Sequence, residues 1–262
     1  ARLGTIVQMV GRVGADDFGQ QLLQSLQQQN VRTENIAIDA STHSGIAIIT
    51  VADRGENQIV LAAGANGGVD VNDVARLIPF LQDSSVLLLQ LEVPTLAVIA
   101  AAQAAQAAGV LVILDPAPVP EAFPDELYQS IDVITPNQTE AEKLVGFSIT
   151  SRADAERAAI ALHQRGVNHV IVTLGAEGAI ALIDHNLIQI PAFSVNAIDT
   201  TAAGDAFNGA LAAALDRGKS WEDALQWGTA AGAIAVTQRG AQPSLPNQET
   251  LLAFLGRFGA LS

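Results

Sequence analysis

With 262 residues, of which 49% are hydrophobic and only 15% charged, the chain can bury a sizeable core, and a disordered polyelectrolyte is excluded. A formal charge of −14 opposes encounter with nucleic acid or an anionic membrane surface, so the expected partner is a small molecule. Cysteine is absent, which removes disulfides, thiolate catalysis and cysteine–zinc sites, and the expected compartment is the cytoplasm.

Lys143 and Lys219 are the only lysines, and no G-x-x-x-x-G-K-[ST] stretch occurs, so a phosphate site here has to rely largely on backbone N–H groups. No run of about 18 apolar residues supports a membrane span. His43, His163, His169 and His185 are scattered without H-E-x-x-H spacing and read as surface or packing residues.

In chain order, Gly11 to Gly19 reads as a strand end leading into a helix, with Asp16 and Asp17 as acids at the helix start. Residues 45 to 62 place GIAIITV and NQIVLA on either side of the polar turn Ala52 to Glu56, which predicts a β-hairpin. Val86 to Leu89, Val110 to Leu114, Val133-Ile134 and Val170 to Val172 read as buried strands that are apolar on both faces. Between them, Thr95 to Ala108 predicts a helix with Thr95 as cap and Gly109 as left-handed terminus. Arg152 to Gln164 predicts another helix, with Ala155, Ala158, Ala159 and Leu162 on one face and Gly166 ending it. Gly178 to Ile183 and Leu187 to Ile190 form a second predicted hairpin across Asp184-His185-Asn186, at a sheet edge. Strands alternating with helices imply a mainly parallel sheet.

Asp199-Thr200-Thr201-Ala202-Ala203-Gly204-Asp205 precedes a small-residue helix expected from Asp205 to Leu215. Small residues let the backbone approach a ligand closely, and the first N–H groups of a helix point beyond its N-terminus. Ala203, Gly204 and Asp205 are therefore the expected anion-holding donors, and Asp205 is the candidate general base.

Several stretches in fixed order carry a resemblance: LLLQLEVP (87 to 94), LDPAP (114 to 118), TPNQTEAEKL (135 to 144), TLGAEGA (173 to 179), DTTAAGDAFNGAL (199 to 211) and AVTQRGAQPS (235 to 244). Through them the chain resembles the ribokinase family of sugar and nucleoside kinases, over essentially its whole length. The resemblance implies a three-layer α/β/α sandwich with a mainly parallel central sheet, formed by residues 1–262 as one domain, with 45–62 as a partial β lid. It implies phosphorylation of D-ribose at the 5-hydroxyl by ATP, with Mg²⁺ and a monovalent cation such as K⁺. A fructokinase, a nucleoside kinase and a non-catalytic nucleotide-binding remnant stand as alternatives.

By the same resemblance Glu92 contacts the sugar, and Asn137, Thr173, Gly175, Ala176, Glu177, Gly178, Gly204 and Thr229 line the nucleotide. Glu140 acts on Mg²⁺ through water, while Asp199, Thr201, Ala235, Gln238, Gly240 and Ser244 surround the monovalent cation. Ala63-Gly64-Ala65-Asn66 returns the chain from the lid, and Arg12 and Asn66 approach the phosphates without being assigned a role. Family members pair their lids, which implies a homodimer. They also open with a sugar-binding aspartate and a G-G-K-G-A-N loop, whereas Ala1-Arg2-Leu3-Gly4 resembles the residues just downstream of that loop. A shortened chain with a half-built sugar pocket is therefore expected.

Overall fold

The computed structural model describes residues 1–51 and 57–259. Along the chain run β1 (Val7–Gly14), α1 (Asp17–Gln28), β2 (Val31–Asp39), β3 (Ile46–Val51), β4 (Asn57–Ala62), α2 (Val71–Leu81), β5 (Val86–Leu89), α3 (Thr95–Ala107), β6 (Leu111–Leu114), and α4 (Asp125–Ser130). There follow β7 (Val133–Ile134), α5 (Gln138–Val145), α6 (Arg152–Gln164), β8 (His169–Thr173), β9 (Ala179–Ile183), β10 (Asn186–Ile190), α7 (Ala203–Asp216), α8 (Trp221–Ala235) and α9 (Gln248–Arg257).

The central sheet has the order β10-β9-β8-β7-β6-β5. β5 to β8 are parallel, and β9 and β10 join antiparallel at one edge. Strand alternation divides the core in two. Val112, Leu114, Val170, Val172, Ile180 and Leu182 turn to the face covered by α3, α4, α5 and α6. Ile113, Ile171, Ala179, Ala181 and Ile183 turn to the face covered by α7, α8 and α9. Each valine, leucine or isoleucine among them contributes about 1.5–3 kcal/mol on withdrawal from water, before entropy is counted. The result is a sheet with helices on both faces, as expected.

Small residues let α7 and α8 pack closely. A Cβ added at Gly228 would stand 2.9 Å from the Phe207 ring. β1 and β2 form a separate parallel pair, and β3 with β4 an antiparallel hairpin. The proposed turn of that hairpin, Ala52 to Glu56, lies outside the described residues. No helix among the described residues is long and apolar enough to cross a membrane.

Several expectations need correction. β5 is not a buried strand: it is the last strand of the sheet, and Leu88 is 45% exposed. Thr95 does not cap α3; the helix begins on it, after Pro94, with no side-chain cap bond. The β9–β10 turn is shorter than expected, because Asp184 and His185 both take left-handed φ (48° and 64°) and Asn186 already belongs to the strand. α7 starts two residues before Asp205. By contrast α6 spans the expected residues with Ala155, Ala158, Ala159 and Leu162 buried, and Asp16 caps α1 by accepting from Gly19 N–H. The histidines are less scattered in space than in sequence, since His163 and His185 meet edge to face with ring centroids 5.0 Å apart. Arg12 is tied to the carboxylates of Asp70 and Asp73, which gives it a structural place beside α2.

Candidate active site

Because β5 to β8 are parallel, their C-terminal ends share one edge of the sheet, the place where open α/β sheets present ligand-binding loops. Glu92 follows β5, Asp115 follows β6, Asn137 follows β7, and Thr173 ends β8. The start of α7 meets this edge: a Cβ on Gly204 would lie 3.9 Å from Asp115 Oδ2.

α7 opens on Ala202 in the left-handed conformation (φ 59°, ψ 16°), with no side-chain cap bond. Ala203 N–H donates to Thr200 O at 3.3 Å, which removes it from the expected trio of free donors. Among the described residues the N–H groups of Gly204 and Asp205 meet no acceptor, so the open donors number two. Asp205 is exposed in the first helical turn.

α5 begins differently. Glu140 N–H donates to Asn137 Oδ1 at 2.9 Å, and Asn137 N–H donates to Glu140 Oε2 at 2.8 Å, a reciprocal box. Burial raises the Glu140 carboxyl above its ordinary range, against the Asn137 N–H and Lys143, which lower it. The spacing of Asn137 and Glu140 thus has a local structural use, and Oε1 of Glu140 is left for other partners.

Asp115 is the acid that sequence reasoning missed. Burial, then the charge of Glu140, pushes its carboxyl up to about 7; Ala117 N–H pulls it down, Asp205 adds to the rise and the Asn208 amide opposes it. Asn208, also unassigned from sequence, donates its Nδ2 to Asp115 Oδ2 at 2.9 Å. The only sequence signal for Asn208 is a carboxamide within an alanine-rich helix, three residues after Asp205 and so on the same side of it.

Between the sheet edge, α7 and α8 lies a cavity of about 500 Å³. Thr173, Gly175, Ala176, Gly178, Gly204 and Thr229, which the resemblance assigns to the nucleotide, line it, and so does Ala203. Phe193, Val195, Ala197, Phe207 and Val236 supply an apolar wall that sequence reasoning did not assign. Thr229 Oγ donates to Leu225 O at 2.8 Å, so its hydroxyl hydrogen is already committed. Asn137, Glu177 and Glu92 are outside this wall: Asn137 is bridged to Thr173, Glu177 sits on the 3-10 turn Gly175–Glu177, and Glu92 is exposed beyond β5. A hollow of about 570 Å³ between α1 and β2 is more open and lies away from these strand ends.

The residues expected around a monovalent cation come from the loop before α7 and from the end of α8 with the segment after it. Asp199 joins them, its Oδ1 accepting from Thr201 N–H and its Oδ2 from Gly240 N–H, both at 2.9 Å. These bonds hold the Asp199 carboxyl down at about 2, the Gly240 N–H contributing most. Ala235 O accepts from Gln238 N–H at 3.1 Å, and Ser244 Oγ donates to Ala241 O at 2.7 Å. Among the described residues no three or more His, Asp or Glu side chains gather into a metal-binding group.

The sequence matches the family described as pfkB family carbohydrate kinase over residues 1–248. A ribokinase of Haemophilus influenzae is 42% identical over 255 residues, which cover 97% of this chain and 83% of that protein. A deoxyribokinase of Salmonella typhi is 32% identical over 255 residues, with the same 97% and 83% coverage. Among solved structures, Arabidopsis thaliana ribokinase complexed with ribose and ATP gives a TM-score of 0.90 at 31% identity, covering 97% of this chain and 83% of that one. Ribokinase from Thermotoga maritima gives 0.86 at 36% identity, covering 95% and 81%.

Proposed function

The chain belongs to the pfkB family of carbohydrate kinases and is an ATP-dependent sugar kinase, and from that premise we propose that its sugar is D-ribose, phosphorylated at the 5-hydroxyl. The observation that carries the chemistry is the open start of α7, with two unpaired N–H groups beside an exposed carboxylate at the rim of an apolar cavity. The base and sugar of the nucleotide occupy the cavity, and the phosphates extend towards Gly204. As the sugar hydroxyl attacks, Asp205 takes its proton. The N–H groups of Gly204 and Asp205 meet the charge spread over the transferring phosphoryl oxygens.

The donor set suits a hard divalent cation carried on the phosphates: Glu140, with a free Oε1, faces Asp115 across the site, and Mg²⁺ held through water beside Glu140 would neutralise phosphate charge. A monovalent cation such as K⁺ would sit near Thr201 and Gly240, where the Asp199 carboxylate joins the two segments. The β3–β4 hairpin is the element through which a homodimer would form.

The similarity to ribokinases favours ribose, and the deoxyribokinase relative makes 2-deoxyribose the second reading. Sugar-dependent ADP release by the full-length protein over ribose, 2-deoxyribose, fructose and adenosine tests the choice. The highest kcat/KM is expected for ribose. A preference for fructose or adenosine rejects the assignment, and nucleotide binding without turnover on any sugar rejects catalysis.

A further inference from the structure

Two aromatic side chains line the cavity between the sheet edge, α7 and α8, and they are held in different ways. Phe207 belongs to α7 and is only 6% exposed. Phe193 belongs to the irregular segment between β10 and α7, whose residues 192–197 make no backbone hydrogen bond among the described residues. The place of such a segment is set by what its side chains touch.

What Phe193 touches comes from α9. Its ring centroid lies 5.2 Å from that of Phe254 and 5.0 Å from that of Phe258, with interplanar angles of 74° and 63°, the edge-to-face arrangement that aromatic pairs prefer. The Phe254 and Phe258 centroids are themselves 5.0 Å apart, so the three rings close a triangle. α9 is fixed without help from Phe193: Asn247 caps it by accepting from Thr250 N–H at 2.8 Å, and Leu251 and Leu255 are buried in the same core as α7 and α8. Leu251, Phe254, Leu255 and Phe258 follow the spacing of one helix face, which carries the apolar stripe out of the core to Phe193.

The cavity has few other means of gripping a base. Thr173, Ser194, Thr200 and Thr229 are the only polar side chains among its described lining residues, with no charged group and no carboxamide. The hydroxyl hydrogen of Thr229 is committed to Leu225 O. Shape and aromatic contact therefore hold the base, and a wall displaced by about 0.5–1 Å forfeits roughly a quarter to a half of the dispersion attraction at each contact.

We propose that Phe254 and Phe258 are positioning residues for the nucleotide: they hold the Phe193 ring in the cavity wall, so that α9 sets nucleotide affinity and leaves the transfer step at the start of α7 unchanged. This rests on the placement of the base in that cavity, given above.

Calorimetry with a non-hydrolysable ATP analogue, beside steady-state kinetics, tests this on the full-length protein and its variants. Phe193→Ala is expected to weaken nucleotide binding about tenfold, and Phe254→Ala and Phe258→Ala about threefold each, with kcat and the sugar KM within about twofold of the parent. Phe258 is 50% exposed, so Phe258→Ala decides the matter where Phe254→Ala does not accumulate. Phe258→Tyr keeps the ring and should bind as the parent does. Phe193→Ala combined with Phe258→Ala should lose no more than Phe193→Ala alone, because Phe258 acts through a ring already removed. Ala233→Leu narrows the cavity from α8 and should weaken binding whatever the phenylalanines do. Parental affinity in Ala233→Leu rejects the cavity as the nucleotide site, and the inference with it. If Ala233→Leu does weaken binding, parental affinity in Phe258→Ala, or losses that add in the combined variant, overturns the inference alone. So does a fall in kcat as large as the loss of affinity, which would mark a general structural role for the triangle.

Discussion

α5 and α7 start at the same edge of the sheet and are finished in opposite ways. At α5, Asn137 and Glu140 satisfy each other's backbone donors. At α7 there is no side-chain cap, a non-glycine residue takes φ 59°, and the N–H groups of Gly204 and Asp205 are left without acceptors. A good N-cap is worth about 1 kcal/mol, and a left-handed alanine costs about 1–2 kcal/mol, so the start of α7 is the less stable solution. A helix start that satisfies its own donors has none to offer an anion. The open one does, and it is the one beside the cavity and an exposed acid.

The largest effect is expected where the open start meets chemistry. Asp205→Asn should lower turnover by about 10² to 10⁴-fold while the melting temperature and ATP affinity stay close to those of the parent, as read by coupled ADP assay, calorimetry and thermal melting. Parental turnover in this variant would remove Asp205 from the mechanism.

Breaking the closed start should instead cost stability. Asn137→Ala is expected to lose about 1 kcal/mol, seen as a fall of about 2–4 °C in melting temperature, because Glu140 N–H loses its acceptor. If the melting point does not move, the box is not what holds α5.

Acid should loosen the loops that flank the open start. Asp199 titrates at about 2 in the fold, below its ordinary 3.8, so its stabilising contribution is present above about 4 and is lost as pH falls towards 2. Amide exchange at Thr201 and Gly240 should rise over that interval in the parent, and Asp199→Asn should show no such step.

The smallest change is expected from relieving the strain itself. Ala202→Gly should raise stability by up to about 1 kcal/mol, since glycine adopts the left-handed conformation without steric cost. A clear loss of stability would mean that Ala202 is not strained.

What the sequence disclosed follows from how local each signal is. α6 was legible because the spacing of Ala155, Ala158, Ala159 and Leu162 and the terminating Gly166 are all signals within one stretch of chain. The loop ahead of α7 was legible because its small residues and its acid are consecutive in the chain. The exposure of Leu88 was not, because four apolar residues look the same in a central strand and at an edge, and only the neighbours of β5 decide which they are in. Nor was Asp115: its pairing with Asn208 spans 93 residues, and its elevated pKa depends on burial and on Glu140 from another helix. The occupied N–H of Ala203 depends on the path taken by Thr200, which residue types do not specify. The apolar wall of Phe193 and Val195 comes from the irregular segment between β10 and α7, where no periodicity marks which side chains turn inward.

The most direct test of the central claim is a crystal structure of the full-length protein with a non-hydrolysable ATP analogue and ribose. The γ-phosphoryl oxygens should lie about 3 Å from the N–H groups of Gly204 and Asp205, with a sugar hydroxyl within hydrogen-bond reach of the Asp205 carboxylate. Phosphates held elsewhere, with those two N–H groups still unpaired, would contradict the account.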